Sequence, residues 1–306
     1  MQFLRSLLGQ ERTSDSAPVP PSPPPITSIR PRLKVGWATD AGEVRRHNED
    51  TALTITATHD GDSALPPFGL FVLADGMGGH QAGEVASSLA ARVVAHHIVG
   101  QLYLPTLITQ EHDTYQPALN ELLVKAVREA NTAVADRVPG GGTTLTCALL
   151  LGPRAYIAHV GDSRAYIVTE DGPEQITHDH SLVDRLVELG QLTRDEAAIH
   201  PQKNVLYRAV GQSGNLDVDT PVRTIPHGGR LLLCSDGLWS MVSEADIGRI
   251  VTTASSLQAA CDNLIVAANQ AGGPDNITAI LVEPVTRPLP LEEGTQAAPG
   301  MGEGLE

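Results

Sequence analysis

An α+β fold, two stacked antiparallel β-sheets flanked by helices, is what this 306-residue sequence predicts. Three observations carry it. Short apolar or β-branched runs, which read as strands, are clustered, and long helical segments fall between the clusters. The strict strand–helix alternation of a doubly wound parallel sheet is therefore absent, and antiparallel sheet with segregated helices fits better. Several runs, such as Phe71-Val72-Leu73 and Leu231-Leu232-Leu233, are apolar at successive positions. Strands of that kind are covered on both faces, which two stacked sheets with helices outside would do.

In chain order, residues 33–39, 51–58 and 69–74 read as the first strands. Segment 82–102 has Val85, Leu89, Val93 and Ile98 at helical spacing, and 117–138 repeats the pattern with Leu119, Leu122, Val127, Ala130 and Val134. Strands resume at 143–151, 155–160, 165–169 and 230–235. Shorter helices are expected at 181–189, 243–251 and 257–271, and Ser243 before Glu244 and Asp246 is a helix-start signal. A last strand is expected at 276–283. Residues 13–32 read TSDSAPVPPSPPPITSIRPR, and consecutive prolines forbid both helix and sheet ladders. The expected organisation is a disordered leader at 1–32, one domain at 33–285 and a disordered tail at 286–306.

The balance of 21 Lys+Arg against 36 Asp+Glu gives a net charge of −15. That sign argues against nucleic-acid binding and against a polybasic membrane contact. Hydrophobic residues at 41% allow a sizeable core, and no run of about 18 apolar residues suggests a membrane span. Cys147, Cys234 and Cys261 stand far apart in apolar runs, so neither a disulfide framework nor a cysteine zinc site is expected. A reducing, cytoplasmic compartment is the simplest expectation. Cys234, although next to Ser235-Asp236, reads as a buried strand residue.

The informative feature is where the aspartates fall. Asp75 follows FGLFVLA, Asp162 follows AYIAHVG and Asp236 follows RLLLCS, while Asp50 precedes TALTIT and Asp275 precedes NITAILVE. In antiparallel sheets strand ends lie beside strand starts, so these five acids can share one rim. Each sits in a small, bendable context: DGMGG, GDSR, SDG, GGPDN. A single such Asp is an ordinary turn former. Several together repel one another unless divalent cations neutralise them, and oxygen-only ligands favour Mg²⁺ or Mn²⁺. In GEVRRHNED, Arg45 or Arg46 precedes Glu49 and Asp50, and in DGMGGH, His80 follows a flexible turn. An arginine and a histidine could orient an anion's oxygens and donate a proton to a leaving group.

The blocks GEVRRHNED, LADGMGGHQAGEVAS, GGTTLT, VGDSRAY, CSDGL and GGPDNIT occur in the order found in metal-dependent protein phosphatases of type 2C. The chain most resembles the bacterial members that reverse Ser/Thr kinase signalling, over about residues 33–283. The resemblance implies a two-sheet sandwich and a centre of two Mg²⁺ or Mn²⁺ ions, with a third in some relatives. It implies that Asp75 bridges the ions, that the Gly76 carbonyl binds one, and that Asp236 and Asp275 bind the other. Glu49 and Asp50 would act nearby, and Asp162 with Asp236 matches the third position. Arg45 aligns with the phosphate-binding arginine, Arg46 being the offset alternative, and His80 aligns with the general acid. Asn276 would sit beside the ligands. The implied activity is hydrolysis of phosphoserine and phosphothreonine by metal-activated water, opposing a Ser/Thr protein kinase and acting on its phosphorylated targets. A phosphatase of a partner-switching cascade and an inactive phosphatase-like scaffold are the alternatives. The segment from about 177 to 204 corresponds to a mobile flap beside the site, and His178, His180 and His200 there read as surface or capping residues.

Overall fold

In a computed structural model of the chain, residues 31–59, 65–78, 81–108, 119–212 and 214–285 are described. The first strand is Arg32–Asp40 (β1), followed by Asp50–Ala57 (β2) and Phe68–Met77 (β3). Helix Gln81–Ile98 (α1) continues through a π-helical turn, Val99–Tyr103, into Leu104–Ile108 (α2), and Leu119–Arg137 (α3) packs against it. Next come Gly142–Thr143 (β4), Leu145–Leu151 (β5), Arg154–Val160 (β6), Arg164–Thr169 (β7) and Gly172–Gln175 (β8). Two short helices, Leu182–Glu188 (α4) and Arg194–Ala198 (α5), precede Val222–Thr224 (β9) and Arg230–Cys234 (β10). The chain then forms Asp236–Trp239 (α6), Glu244–Thr253 (α7), Leu257–Gln270 (α8) and Ile277–Val285 (β11).

All strand pairings are antiparallel. One sheet has the order β1-β11-β10-β7-β8 and the other β2-β3-β5-β6-β9, with β4 paired to the end of β3. Strand periodicity sorts the apolar runs onto two faces. Phe71, Leu73, Leu150 and Ile157 meet Leu231, Leu233, Ile280 and Val282 between the sheets. Leu70, Val72 and Leu149 point outward against Val94, Ile98, Leu123 and Val127 of α1 and α3. On the opposite side Leu232, Ala279 and Leu281 pack on Ile247, Val251 and Leu264 of α7 and α8. Strands apolar at successive positions are thus covered twice, and the expected sandwich is observed.

The details differ in places. The run 143–151 is two strands, because Thr144 leaves the ladder and its N–H donates to the Asp75 carbonyl (2.9 Å). Val85 is 49% exposed; Ala86, Leu89, Ala90 and Val94 form the buried face of α1 instead. Short β8, β9, α5 and α6 have too few residues to show a period. Nearly all of 1–32 and 286–306 lies outside the described residues; Arg32 already belongs to β1, paired with Val285. No helix among the described residues is long and apolar enough to cross a membrane.

Candidate metal centre

The two sheets converge at one rim. In β2 and β3, Asp50 stands directly opposite Asp75 in register. Like charges in that relation are destabilising, so the pairing is not there for the sheet's sake. From the other sheet, Asp236 opens α6 immediately after β10, and Asp275 precedes β11. Asp162 lies in the turn from β6 to β7, where the chain crosses between sheets. Arg45, Glu49, Asp75, Gly76, Asp162, Asp236 and Asp275 line one cavity of about 270 Å³, with Thr144, Asn204, Leu206 and Asn276. Arg46 is exposed and does not reach this lining, so of the two candidate arginines the structure brings Arg45 to the acids. Asp50 sits behind them. Its Oδ2 accepts from the Thr278 hydroxyl (2.7 Å), a bond between the two sheets, and its Oδ1 is buried without a partner. His80 lies outside the described residues. A larger open cleft, about 820 Å³, runs along α3 past Lys125, Arg128 and Glu129, but none of the rim acids borders it.

The acids disturb one another. Burial, then the charges of Asp50, Asp236, Asp162 and Asp275, hold the Asp75 carboxyl well above the usual carboxylate range. Burial and the Asp236 and Asp275 charges push Asp50 up to about 7 despite the Thr278 hydrogen bond. Asp236 is raised to about 6 by burial and Asp275, and Asp162 is raised by burial and by Asp236. Arg45 is the cation in this lining: its Nη2 donates to Asp275 Oδ2 at 2.7 Å. One guanidinium against five aspartates leaves an uncompensated negative charge, the setting in which a divalent cation is favoured.

Among the described residues no three His, Cys, Asp or Glu side chains form a ready-made metal cage; the acids share a cavity instead. That suits small hard cations, which keep several waters and take only one or two carboxylates each. The orphaned Asp50 Oδ1, the oxygen-only donor set and room for ions with their water fit Mg²⁺ or Mn²⁺.

Neighbouring residues hold the acids in place. Thr144 Oγ1 accepts from the Asp75 N–H (2.9 Å), and the Thr143 hydroxyl donates to the Asp75 carbonyl (2.9 Å). Trp239, in the same helical turn as Asp236, donates its indole N–H to the Asp162 carbonyl (3.0 Å). The Arg164 guanidinium lies 3.6 Å over that indole and is paired with Asp179 (2.8 Å). Sequence reasoning assigned Thr143, Thr144, Arg164 and Trp239 no site role. The adjacent threonines of GGTTLT were the available signal for the first two.

The flap region emerges from a narrow neck. Leu182 N–H donates to the Val205 carbonyl and Tyr207 N–H to the His180 carbonyl. His180 is not a surface residue. It is 2% exposed, its Nδ1 accepts from the Gly161 N–H (3.0 Å), and its Nε2 lies 3.3 Å from Asp219. Nε2 also lies 3.1 Å from the Arg208 guanidinium, which is itself paired with Asp219 (2.9 Å). Burial and the neighbouring Arg208 lower its pKa, in keeping with a neutral ring. His178 is exposed, as expected, and offers its backbone carbonyl to buried His159. His200 caps locally, accepting from the Gln202 N–H at 3.2 Å.

Comparison with known proteins identifies relatives of the whole domain. A family model described as protein phosphatase 2C matches residues 37–189. The serine/threonine phosphatase stp of Listeria innocua is 38% identical over 250 residues, spanning 81% of this chain and 94% of that protein. The solved structure of the S. agalactiae serine/threonine phosphatase superposes with a TM-score of 0.70 at 33% identity, covering 82% of this chain and 99% of that one. The catalytic domain of the phosphatase PstP, solved in complex with two manganese ions, gives 0.66 at 34% identity over 83% and 99% of the two chains. With identity of this extent over most of both chains, the chain belongs to the protein phosphatase 2C family as a serine/threonine phosphatase.

Proposed function

We propose that the rim cavity is a centre for two, and with Asp162 three, Mg²⁺ or Mn²⁺ ions. There phosphoserine and phosphothreonine of proteins are hydrolysed, in opposition to a Ser/Thr protein kinase. The observation that supports this most is the convergence of four aspartates and Glu49, remote in sequence, on one cavity whose lining contains a single guanidinium, with Asp50 directly behind Asp75. Asp75, the Gly76 carbonyl, Asp236 and Asp275 would hold the ions, with Glu49 and Asp50 beside them and Asp162 with Asp236 at the third position. Bound there, the ions would neutralise the acids and make water reactive near neutral pH.

This chain's own groups do the rest. Arg45 presents donors to the phosphoryl oxygens, exchanging Asp275 for substrate, and so orients phosphorus toward the acid bed. Thr143 and Thr144 fix the Asp75 backbone from both its N–H and its carbonyl, so its carboxylate needs no reorganisation during the reaction. His80 is the proposed proton donor to the serine or threonine oxygen as the phosphorus–oxygen bond breaks. The products are then the free hydroxyl side chain and inorganic phosphate. Leu206 and Asn204, at the C-terminal end of the flap, face the same cavity and would meet the substrate chain.

The test is phosphate release from an aryl phosphate and from phosphoserine, phosphothreonine and phosphotyrosine peptides, titrated with Mg²⁺ and Mn²⁺. Activity should need the metal, and Asp75→Asn and Asp236→Asn should each lower kcat by about 10²–10³-fold. Metal-independent turnover, or either variant at wild-type rate, overturns the assignment.

A further inference from the structure

Resting on the reading above, we infer that Asn276 is a positioning residue: its side-chain amide fastens the arm of residues 41–49, and so Arg45, over the acid bed. Asn276 is 6% exposed. Its Oδ1 accepts from the Glu49 N–H (2.8 Å), and its Nδ2 donates to the carbonyls of Ala41 (3.0 Å) and His47 (2.9 Å). One amide therefore bonds both ends of the arm. The orientation of that amide is determined by its partners, since two carbonyls need donors and one N–H needs an acceptor. An aspartate here would turn a carboxylate oxygen toward two carbonyl oxygens.

The rest of the arm leans on the same loop. The N–H groups of Glu43 (2.8 Å) and Val44 (3.3 Å) donate to the Gly273 carbonyl. Gly42 has φ +78°, and a side chain there would strike the Asp275 and Gly273 carbonyls. Between these anchors Arg45 projects half-exposed, with its guanidinium on Asp275 Oδ2. The backbone N–H of Asn276 holds the other oxygen, Asp275 Oδ1, at 2.9 Å. A single residue thus sets the arm that carries the phosphate-orienting cation and, through its main chain, one carboxylate of the bed. Only the main-chain bond concerns the carboxylate, and side-chain substitution leaves it in place. Asn276 touches neither cavity-centred ions nor phosphate in this reading; it acts through Arg45. A displaced arm costs phosphate binding, because a guanidinium misplaced by about 1 Å can lose on the order of 10²-fold.

The experiment compares full-length wild type, Asn276→Ala, Arg45→Ala and the double variant. Three quantities are measured: inhibition by inorganic phosphate, Mn²⁺ binding by calorimetry, and amide hydrogen exchange. For Asn276→Ala the expected results are phosphate inhibition weakened at least about tenfold, KM raised more than kcat is lowered, and Mn²⁺ affinity within about threefold of wild type. The double variant should be no worse than Arg45→Ala alone, since both remove the same contact. Exchange should accelerate at Glu43, Val44 and Glu49 while β1 and β11 stay protected. Asn276→Ser carries the same expectations should the alanine variant not fold. Additive losses in the double variant, a fall in Mn²⁺ affinity with phosphate inhibition unchanged, or a protected arm in the variant would each overturn the inference. Hydrogen exchange reads the tether without any activity. A protein that releases no phosphate with metal would therefore reject the phosphatase reading while still testing Asn276.

Discussion

Two pairs of carboxylates face each other across the rim, and they are built differently. Asp50 and Asp75 belong to one sheet, in direct cross-strand register. Among the described residues no arginine or lysine is hydrogen-bonded to either; the Thr278 hydroxyl donates to Asp50 Oδ2, and Oδ1 is buried without a partner. Asp236 and Asp275 come from the ends of β10 and β11 in the other sheet, and Asp275 already has Arg45. Asp236 is hydrogen-bonded to the Asp75 carboxyl across the rim and to the Gly237 N–H at the start of α6. Burial and neighbouring carboxylates push Asp50 up to about 7 and Asp236 up to about 6. The protein places a guanidinium on Asp275 and, among the described residues, hydrogen-bonds no arginine or lysine to the strand-borne pair. A rigid β-ladder can hold two like charges together that loops would let drift apart, and a cation bound there would relieve that repulsion.

The largest disturbance of the strand-borne pair short of removing it is Thr144→Val. The substitution keeps shape but leaves the Asp75 N–H without its acceptor and takes a partner from Ser163 (2.8 Å). We expect a loss of about 1–3 kcal/mol in denaturant stability and a kcat lowered about 10–100-fold, with Mn²⁺ affinity lowered too. Wild-type kinetics in this variant would mean that the ladder alone positions Asp75.

A second prediction separates the pairs by pH. A carboxylate whose pKa is higher in the folded than in the unfolded protein binds more protons when folded. Its contribution to stability is complete below about pH 4 and is lost as pH rises through about 6 for Asp236 and about 7 for Asp50. His159 and His180, buried with lowered pKa, act in the opposite sense below about pH 6.5. The informative measure is therefore the manganese-dependent rise in unfolding midpoint. It should be small near pH 5, grow toward pH 8, and be flattened more by Asp50→Asn than by Asp275→Asn. A rise that does not change with pH would contradict the account of the unpaired acids.

The smallest effect is expected at Cys234, one residue before Ser235-Asp236 and fully buried. Burial pushes its thiol up to about 12, far from a reactive thiolate. Cys234→Ala should leave kcat/KM within about twofold, measured with saturating Mn²⁺. A large loss with an intact fold would point to chemistry at sulfur.

Much of the site was legible in the sequence because its residues flank strands, and strand ends announce themselves as apolar runs followed by Asp-Gly or Gly-Asp. Asp75, Asp162, Asp236 and Asp275 were identified in this way, as was the sandwich that gathers them. The supporting contacts were not legible. Thr144 reads as one more β-branched residue of a long strand, yet it is the point where that strand breaks to meet Asp75. His180 reads as a polar loop residue, yet it is buried against Gly161. Val85 fits the helical period but falls outside the buried face, which the small residues Ala86 and Ala90 set.

Period, turn chemistry and the order of elements are local properties, and by themselves they determined two covered sheets with acids at their strand ends. Register is not local. That Asp50 lies opposite Asp75, and that one asparagine at 276 binds Ala41, His47 and Glu49, were decided only when the sheets packed. The physical reason is that a hydrogen bond or a like-charge contact depends on separations of about 3 Å between segments some 230 residues apart, and only the closed core fixes those distances.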